Sequence, residues 1–214
     1  MFFFAVMKTF EETASLCALN RIFGFRPKIA AALIDNLGSA TEVMNLSSKD
    51  LQQLLGPHSK YSGMIGKNAI DAAARELIEL EKNGINFIGI THENYPFLLK
   101  ECEDAPIGLY IRSSTPAAEL WKPRSRIAIV GTRDISPYGK EWCERIVNSL
   151  SAVPQKERPI IVSGLALGVD ICAHNAALKS GLPTVAVMAT GPDAIYPYRH
   201  SGIGELISRT PDSA

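Results

Sequence analysis

The stretch that decides the fold runs from Pro159 to Pro197 and reads PIIVSGLALGVDICAHNAALKSGLPTVAVMATGPDAIYP. The β-branched run at 160–162 predicts a buried strand. The Ala-rich segment after it has helical spacing, and Gly181 is placed to end that helix. Residues 184–189 predict the next strand. The stretch is therefore predicted to form a β-α-β unit, with a Gly-containing turn at the carboxyl end of its first strand.

That turn, SGLALG at 163–168, lies where ligands of open parallel sheets bind. A helix that begins there offers free N–H groups and a partial positive charge, which favour an anion such as phosphate. Gly164 and Gly168 are spaced G-x-x-x-G, which differs from the dinucleotide fingerprint. The glycines therefore either approach an anion or only shape a tight turn. Asp170 is predicted to cap the following helix.

A second turn of the same kind follows the apolar run at 127–130, which predicts another buried strand. Gly131 allows a close main-chain approach, and Thr132 and Arg133 supply a hydroxyl and a guanidinium suited to phosphate. Since the carboxyl ends of parallel strands meet at one edge, this turn and residues 163–168 are predicted to lie side by side in one crevice.

The helix between these two strands is predicted to begin at Ser136 as N-cap with Pro137 in its first position. Trp142, Ile146 and Leu150 recur at helical spacing and are predicted to form its buried face. The helix then supplies the right-handed crossover that a parallel strand pair requires.

His174 lies one turn into the predicted helix after residue 168. Neither a nucleophile pattern nor a second histidine at i+4 accompanies it. The sequence therefore favours a half-buried histidine near the crevice over a catalytic group, and His174 is counted with the predicted phosphate-binding residues.

Composition sets limits on the partners. The chain has 214 residues, a hydrophobic fraction of 46% and a formal net charge of zero, so a nucleic-acid site must be a local patch. Its four cysteines form no C-x-x-C pair, and three lie in patterns typical of buried helix faces, which favours a reducing cytoplasm. The apolar start, MFFFAVMKTF, is too short to span a membrane and has no targeting signature.

The first part of the chain predicts short helices from 9 to 56, with Ser39 or Thr41 and then Ser48 as caps. Its turn at 23–28, FGFRPK, resembles a helix-hairpin-helix turn with one glycine where two are usual, and a plain helical packing module is favoured. A longer helix is predicted at 68–83, followed by strands at 85–90 and 109–111.

Residues 113–126 are predicted to form a polar loop. Lys122, Arg124 and Arg126 stand beside Trp121 in this loop, a combination that could serve a nucleic-acid strand. A solvated connector is the favoured interpretation.

Three blocks of residues resemble the DNA processing protein A family (DprA, also called Smf). They stand in the family's order and together cover about residues 85–197. They are Tyr95-Pro96 with Ala105-Pro106 and Leu109-Tyr110; Ile127 to Arg133 with Ser136 and Tyr138-Gly139; and Ile161 to Ala166, Gly168-Val169-Asp170, Ala173-His174, Ala176 to Leu178, Thr184 to Val187, Gly191 and Tyr196-Pro197.

The resemblance implies an α/β fold, an extended Rossmann-like parallel sheet in 67–214, after a small all-helical domain in 1–66 that is sterile-alpha-motif-like. It implies binding of single-stranded DNA without sequence preference, protection of incoming DNA in natural transformation, and loading of the RecA recombinase. It implies neither a cofactor nor covalent chemistry, and a cytoplasmic protein that is a homodimer in full-length relatives. The implied DNA- and phosphate-binding residues are Gly131, Thr132, Arg133, Ser163, Gly164, Leu165, Ala166, Gly168, Asp170 and His174.

Two departures from the family stand out. Leu167 occupies a position where the family commonly has Arg or Lys, so weaker DNA affinity is expected. After Tyr196-Pro197 the family's Ser-Glu segment and R-N-R motif are not found, so the chain is expected to lack the C-terminal part of the sheet, and dimerisation is left open. The alternative is a nucleotide phosphoribohydrolase of the Lonely Guy type, but its P-G-G-x-G-T-x-x-E motif is not found either.

Overall fold

The computed structural model describes the main chain of residues 2–122 and 124–214, and the side chains of that part from residue 9 onward. The chain divides into two compact units, Met1–Tyr110 and Ile111–Ala214. The predicted domain boundary between residues 66 and 67 falls inside the first unit and stays a prediction. Among the described helices, none is both long enough and apolar enough to cross a bilayer. The prediction that the apolar start carries no targeting segment falls mainly on residues 1–8, whose side chains lie outside the described ones.

The first unit begins with helices and continues into a small sheet. The helices are α1 (Phe2–Phe23), α2 (Pro27–Leu37), α3 (Ala40–Met44), α4 (Ser48–Leu55) and α5 (Lys67–Lys82). Strands β1 (Ile85–Gly89) and β2 (Gly108–Arg112) then form a two-stranded sheet, with the short helix α6 (Phe97–Lys100) between them. Buried side chains of α1, α2, α3 and α5 share one apolar core, which therefore extends beyond the helical module predicted at 1–66.

Serine hydroxyls cap α3 and α4 of this unit, and the cap of α4 lies one residue before the predicted position. Of the two predicted caps, Ser39 rather than Thr41 caps α3, since its hydroxyl oxygen accepts a hydrogen bond from the N–H of Glu42 at 3.1 Å. The predicted cap at Ser48 is wrong, because Ser48 is already the first residue of α4. Ser47 is the cap instead, and it accepts from the N–H of Asp50 at 3.2 Å.

The second unit is an α/β structure, in agreement with the predicted fold class. The elements are α7 (Ala117–Leu120), β3 (Arg126–Ala128), α8 (Pro137–Leu150), β4 (Ile160–Ser163), α9 (Val169–Lys179), β5 (Thr184–Ala186) and α10 (Ser201–Arg209). Strands β3, β4 and β5 form a parallel sheet in that order, with Ile127 opposite Ile161 and Val162 opposite Val185. Helix α7 lies within residues 113–126, which were predicted to form a loop.

Helices α8 and α9 pack against each other and share an apolar core with β4. The predicted buried face of α8 is wrong, since Trp142 is 44% exposed and Ile146 is 51% exposed. Cys143 and Val147 are buried in their place. Apolar residues lie on both sides of this helix, so its periodicity alone does not decide which side meets the small side chains of α9.

Candidate nucleic-acid interface

Two turns meet at the carboxyl edge of the parallel sheet. The β3 turn (residues 131–136) follows the first strand, and the β4 turn (residues 164–168) follows the second. The N–H of Val169, the first residue of α9, donates a hydrogen bond to the carbonyl oxygen of Thr132 at 3.1 Å. The expectation that the two turns lie side by side is therefore confirmed.

Glycine is required where these turns touch. Gly168 has φ of 77°, and a Cβ built on it would lie 2.1 Å from the carbonyl oxygen of Thr132 and 2.8 Å from Cα of Arg133. A Cβ on Gly131 would lie 2.7 Å from Cγ2 of Val169. Both contacts are closer than any real side chain tolerates, so Gly168 allows the main chains of the two turns to pack directly and Gly131 leaves room for the side chain of Val169.

Asp170 does not cap α9, which corrects the prediction. The N-cap residue is Gly168, and Asp170 lies in the first turn of the helix. Its carboxylate points back into the β4 turn, where Oδ2 accepts a weak hydrogen bond from the N–H of Ala166 at 3.4 Å. A Cβ on Gly164 would lie 2.7 Å from the same oxygen. Asp170 is buried, and its position makes it a group that shapes the turn.

Ser163 and Leu165 also hold the turn from inside. The hydroxyl of Ser163 donates to the carbonyl oxygen of Ile129 at 2.6 Å. The side chain of Leu165 is fully buried although its φ is +60°, and its carbonyl oxygen lies 2.8 Å from Nδ1 of His200. The prediction that these two residues bind DNA can therefore hold for their main-chain atoms but not for their side chains.

His174 is more deeply buried than the sequence predicted, with 0% of its surface exposed. Its Nδ1 lies 2.7 Å from the hydroxyl of Thr184, and that hydroxyl donates to the carbonyl oxygen of Ile161 at 2.9 Å. Because the hydroxyl proton is used there, Nδ1 carries the proton and donates to Thr184. Burial lowers the pKa of His174 to about 4, while the nearby Asp170 opposes that shift. The side chain is a neutral core group and does not reach the surface, which corrects its assignment to the phosphate site.

Arg133 is the exposed cation of the β3 turn. Gly131, Thr132 and Arg133 are all exposed, and in the described part of the chain Arg133 makes no ion pair. The hydroxyl of Thr132 accepts from the N–H of Asp134 at 3.1 Å, which fixes the turn that carries Arg133. An exposed guanidinium on a fixed turn can form two parallel hydrogen bonds with a phosphate.

Two basic residues near Trp121, Arg124 and Arg126, bind other groups of the second unit. The guanidinium of Arg126 lies 5.7 Å from the ring centre of Trp121 and donates to the carbonyl oxygen of Lys122 at 3.1 Å. Arg124 pairs with Asp212 at 3.0 Å. Burial lowers the pKa of Arg126 from its ordinary value. These contacts support the prediction that the segment is a connector rather than a nucleic-acid surface.

A third segment reaches the same edge of the sheet and was not predicted to take part in the site. This segment follows β5. Just beyond β5, the N–H of Val187 donates a hydrogen bond to the carbonyl oxygen of Ser163 at 2.8 Å, so the pairing of this chain with β4 extends past the strand. The segment leads to Tyr196 and Tyr198, which are both exposed. Its place after a third parallel strand was the signal that could have pointed to it.

Comparison with known proteins identifies the family. A model of the family described as DNA recombination-mediator protein A matches residues 86–211. The DNA processing protein DprA of Bacillus subtilis is 32% identical over 199 residues, which cover 91% of this chain and 62% of the relative. Protein Smf of Synechocystis sp. is 33% identical over 203 residues, which cover 92% of this chain and 49% of the relative.

A solved structure agrees on the fold. The X-ray structure of DNA processing protein A from Streptococcus pneumoniae matches with a TM-score of 0.64 at 24% identity, covering 89% of this chain and 62% of that one. The chain spans less than two thirds of the length of these relatives. The matched residues include β3, β4, β5 and both turns between them. The chain described here therefore belongs to the DNA recombination-mediator protein A family, the family of DprA and Smf.

Proposed function

We propose that this chain binds single-stranded DNA without sequence preference, and that the β3 turn and the β4 turn form the binding site. One observation carries the proposal: Arg133 is exposed and makes no ion pair among the described residues, on a turn packed directly against the first turn of α9. A phosphate beside Arg133 would meet a guanidinium and the positive end of an 11-residue helix.

The charge distribution supports a local site. The chain has no net charge, so long-range attraction of DNA is weak and affinity must come from a few direct phosphate contacts. Main-chain and arginine contacts to phosphate carry no sequence information, so such a site would accept any sequence. A single strand can bend to place successive phosphates at two adjacent turns, whereas a duplex holds its phosphates at fixed spacing.

The wider role is proposed from membership in the family. Relatives are named DNA processing proteins. We propose that the whole protein acts in natural transformation in the cytoplasm, where it protects the incoming strand and promotes loading of the RecA recombinase, with a homodimer as the working form. No covalent step is part of this proposal.

The enzymatic alternative has less support. A nucleotide phosphoribohydrolase needs a placed acid in the crevice. The buried acid at the β4 turn, Asp170, directs its carboxylate at the main chain of that turn and faces Gly164 and Ala166. Family membership also favours the DNA-binding proposal.

The proposal is tested by fluorescence anisotropy of labelled oligo-dT against the chain at low and moderate salt, with duplex DNA of the same length as control. Salt-sensitive binding that favours the single strand is expected. Absence of binding by the folded chain would contradict a site confined to these residues.

Arg133→Ala tests the assignment of the site. Loss of a charge-assisted contact should weaken binding by about tenfold for all sequences and make the salt slope shallower by about one unit. Arg209→Ala is the matched control, because Arg209 is also exposed but pairs with Glu205 at 2.5 Å on α10. Equal affinities of the two variants would remove Arg133 from the site. In the same assay, Leu167→Arg should strengthen binding by adding a cation to the β4 turn.

A further inference from the structure

The segment between β5 and α10 exposes two aromatic side chains beside the proposed site. Tyr196 is 75% exposed and Tyr198 is 86% exposed. Among the described residues, neither ring packs against another aromatic ring. Exposed tyrosines are available to a ligand, because each presents a large apolar face to water.

The position of this segment is fixed by the β4 turn. Nδ1 of His200 lies 2.8 Å from the carbonyl oxygen of Leu165, inside the unit. Gly204, in α10, approaches both elements: a Cβ built on it would lie 2.4 Å from Cδ1 of Ile195 and 3.4 Å from Cδ2 of Leu165. His200, which follows the two tyrosines, is therefore hydrogen-bonded to the turn to which the proposed phosphate site belongs, and Ile195, which precedes them, lies against Gly204 of α10, which also approaches that turn.

The charges of the segment suit a nucleic acid. Arg199 is exposed and forms no ion pair in the part of the chain that the structure describes. Asp193 is the acidic side chain between residues 187 and 200, and its carboxylate folds back towards Gly191. Two rings and a free guanidinium at one edge are the combination that proteins use to hold unpaired bases and the phosphates between them.

We propose that Tyr196 and Tyr198 form a base-stacking platform for single-stranded nucleic acid, with Arg199 on an adjacent phosphate. The platform rests on the proposed function, since it would hold the bases of the strand whose phosphates lie at the β3 and β4 turns. The two parts of the site divide the ligand between them: the turns contact the sugar-phosphate chain, and the tyrosine rings contact the bases. Stacking of this kind tolerates every base, because every base has a flat apolar face.

The experiment compares oligo-dT with an abasic strand of the same length, by anisotropy at moderate salt. Tyr198→Ala is the main variant, and Tyr196→Ala the second. Phe97→Ala is the matched control, because Phe97 is an equally exposed aromatic residue in the first unit. Tyr198→Phe keeps the ring and removes only the hydroxyl. Far-UV circular dichroism checks that each variant is folded.

We expect each Tyr→Ala variant to bind oligo-dT about fivefold to tenfold more weakly, because loss of one stacked base costs about that much affinity. Binding of the abasic strand should stay unchanged, and Tyr198→Phe should bind oligo-dT as the unaltered chain does. Arg199→Ala should weaken binding of both strands.

Two results would overturn the platform. One is full oligo-dT affinity in both Tyr→Ala variants, which would assign the exposed rings to another partner such as a protein. The other is an equal loss for oligo-dT and the abasic strand, which would indicate a distorted turn. In both cases the unaltered chain still binds DNA, so the proposed function survives. If the unaltered chain binds neither strand, the platform and the proposed function fail together.

Discussion

Acid should destabilise the second unit through His174, and the structure sets the size of the effect. The imidazole is buried and neutral, and its Nδ1–H donates to the hydroxyl of Thr184. Burial lowers the pKa of His174 from 6.5 to about 4, with Asp170 opposing the shift and His200 adding to it. The folded unit therefore excludes a proton that the unfolded chain accepts.

The sign and magnitude follow from linkage. A lowered pKa in the folded state means that stability is complete above about pH 6.5, falls as the pH drops, and levels off below about pH 4. The difference between 6.5 and about 4, at about 1.4 kcal/mol per unit of pKa, corresponds to a total loss of about 3 kcal/mol. Between about pH 7.5 and about pH 5 the expected loss is about 2 kcal/mol.

The assay is urea unfolding followed by tryptophan fluorescence at both pH values. Both tryptophans of the chain, Trp121 and Trp142, belong to the second unit, so the signal reports on that unit. His174→Asn is the control variant, because asparagine keeps an N–H donor near the position of Nδ1 but does not titrate. Its stability should lose about 2 kcal/mol less between the two pH values than that of the unaltered chain. An identical pH dependence in the two proteins would refute a neutral, buried His174.

Two further predictions concern the packed turns and the thiols. Gly168→Ala should lower the stability of the second unit by about 2–4 kcal/mol, because its Cβ would overlap the carbonyl oxygen of Thr132 at a positive φ. Gly202→Ala in α10 meets open space and should be neutral or slightly stabilising in the same urea titration. Cys102 is the exposed thiol and should react first with a thiol reagent, whereas burial raises the pKa of the Cys143 thiol to about 12. Fast labelling that persists after Cys102→Ser would contradict this assignment.

Some features of the second unit follow from local sequence, and others depend on packing. The β-α-β unit around α9 was predictable because its strands are continuous apolar runs bounded by glycine and proline. The proximity of the two turns was predictable as well, since all carboxyl ends of a parallel sheet lie at one edge. The buried face of α8 was not predictable, because Trp142 and Cys143 are neighbours on an apolar helix and only contact with α9 decides between them.

Several parts of the candidate site depend on contacts that are distant in sequence. Asp170 has the residue type and position of a cap, yet its carboxylate satisfies the main chain of the β4 turn because Gly168 already occupies the cap position. The sequence predicts His174 as a half-buried residue near the crevice, yet Thr184 on β5 holds it fully in the core. Tyr198 shows no local pattern that marks a site.

The sequence by itself determined the α/β class, the placement of two turns at one edge of a parallel sheet, and Arg133 as the cation of the β3 turn. These features depend on periodicity and on residue chemistry within a few positions. Only the tertiary structure decided which of the predicted residues reach the surface. It buried Leu165 and His174, and it brought the segment of Tyr196 and Tyr198 to the β4 turn through His200. Burial and neighbourhood depend on packing between elements that are far apart in the chain, and no local pattern encodes them.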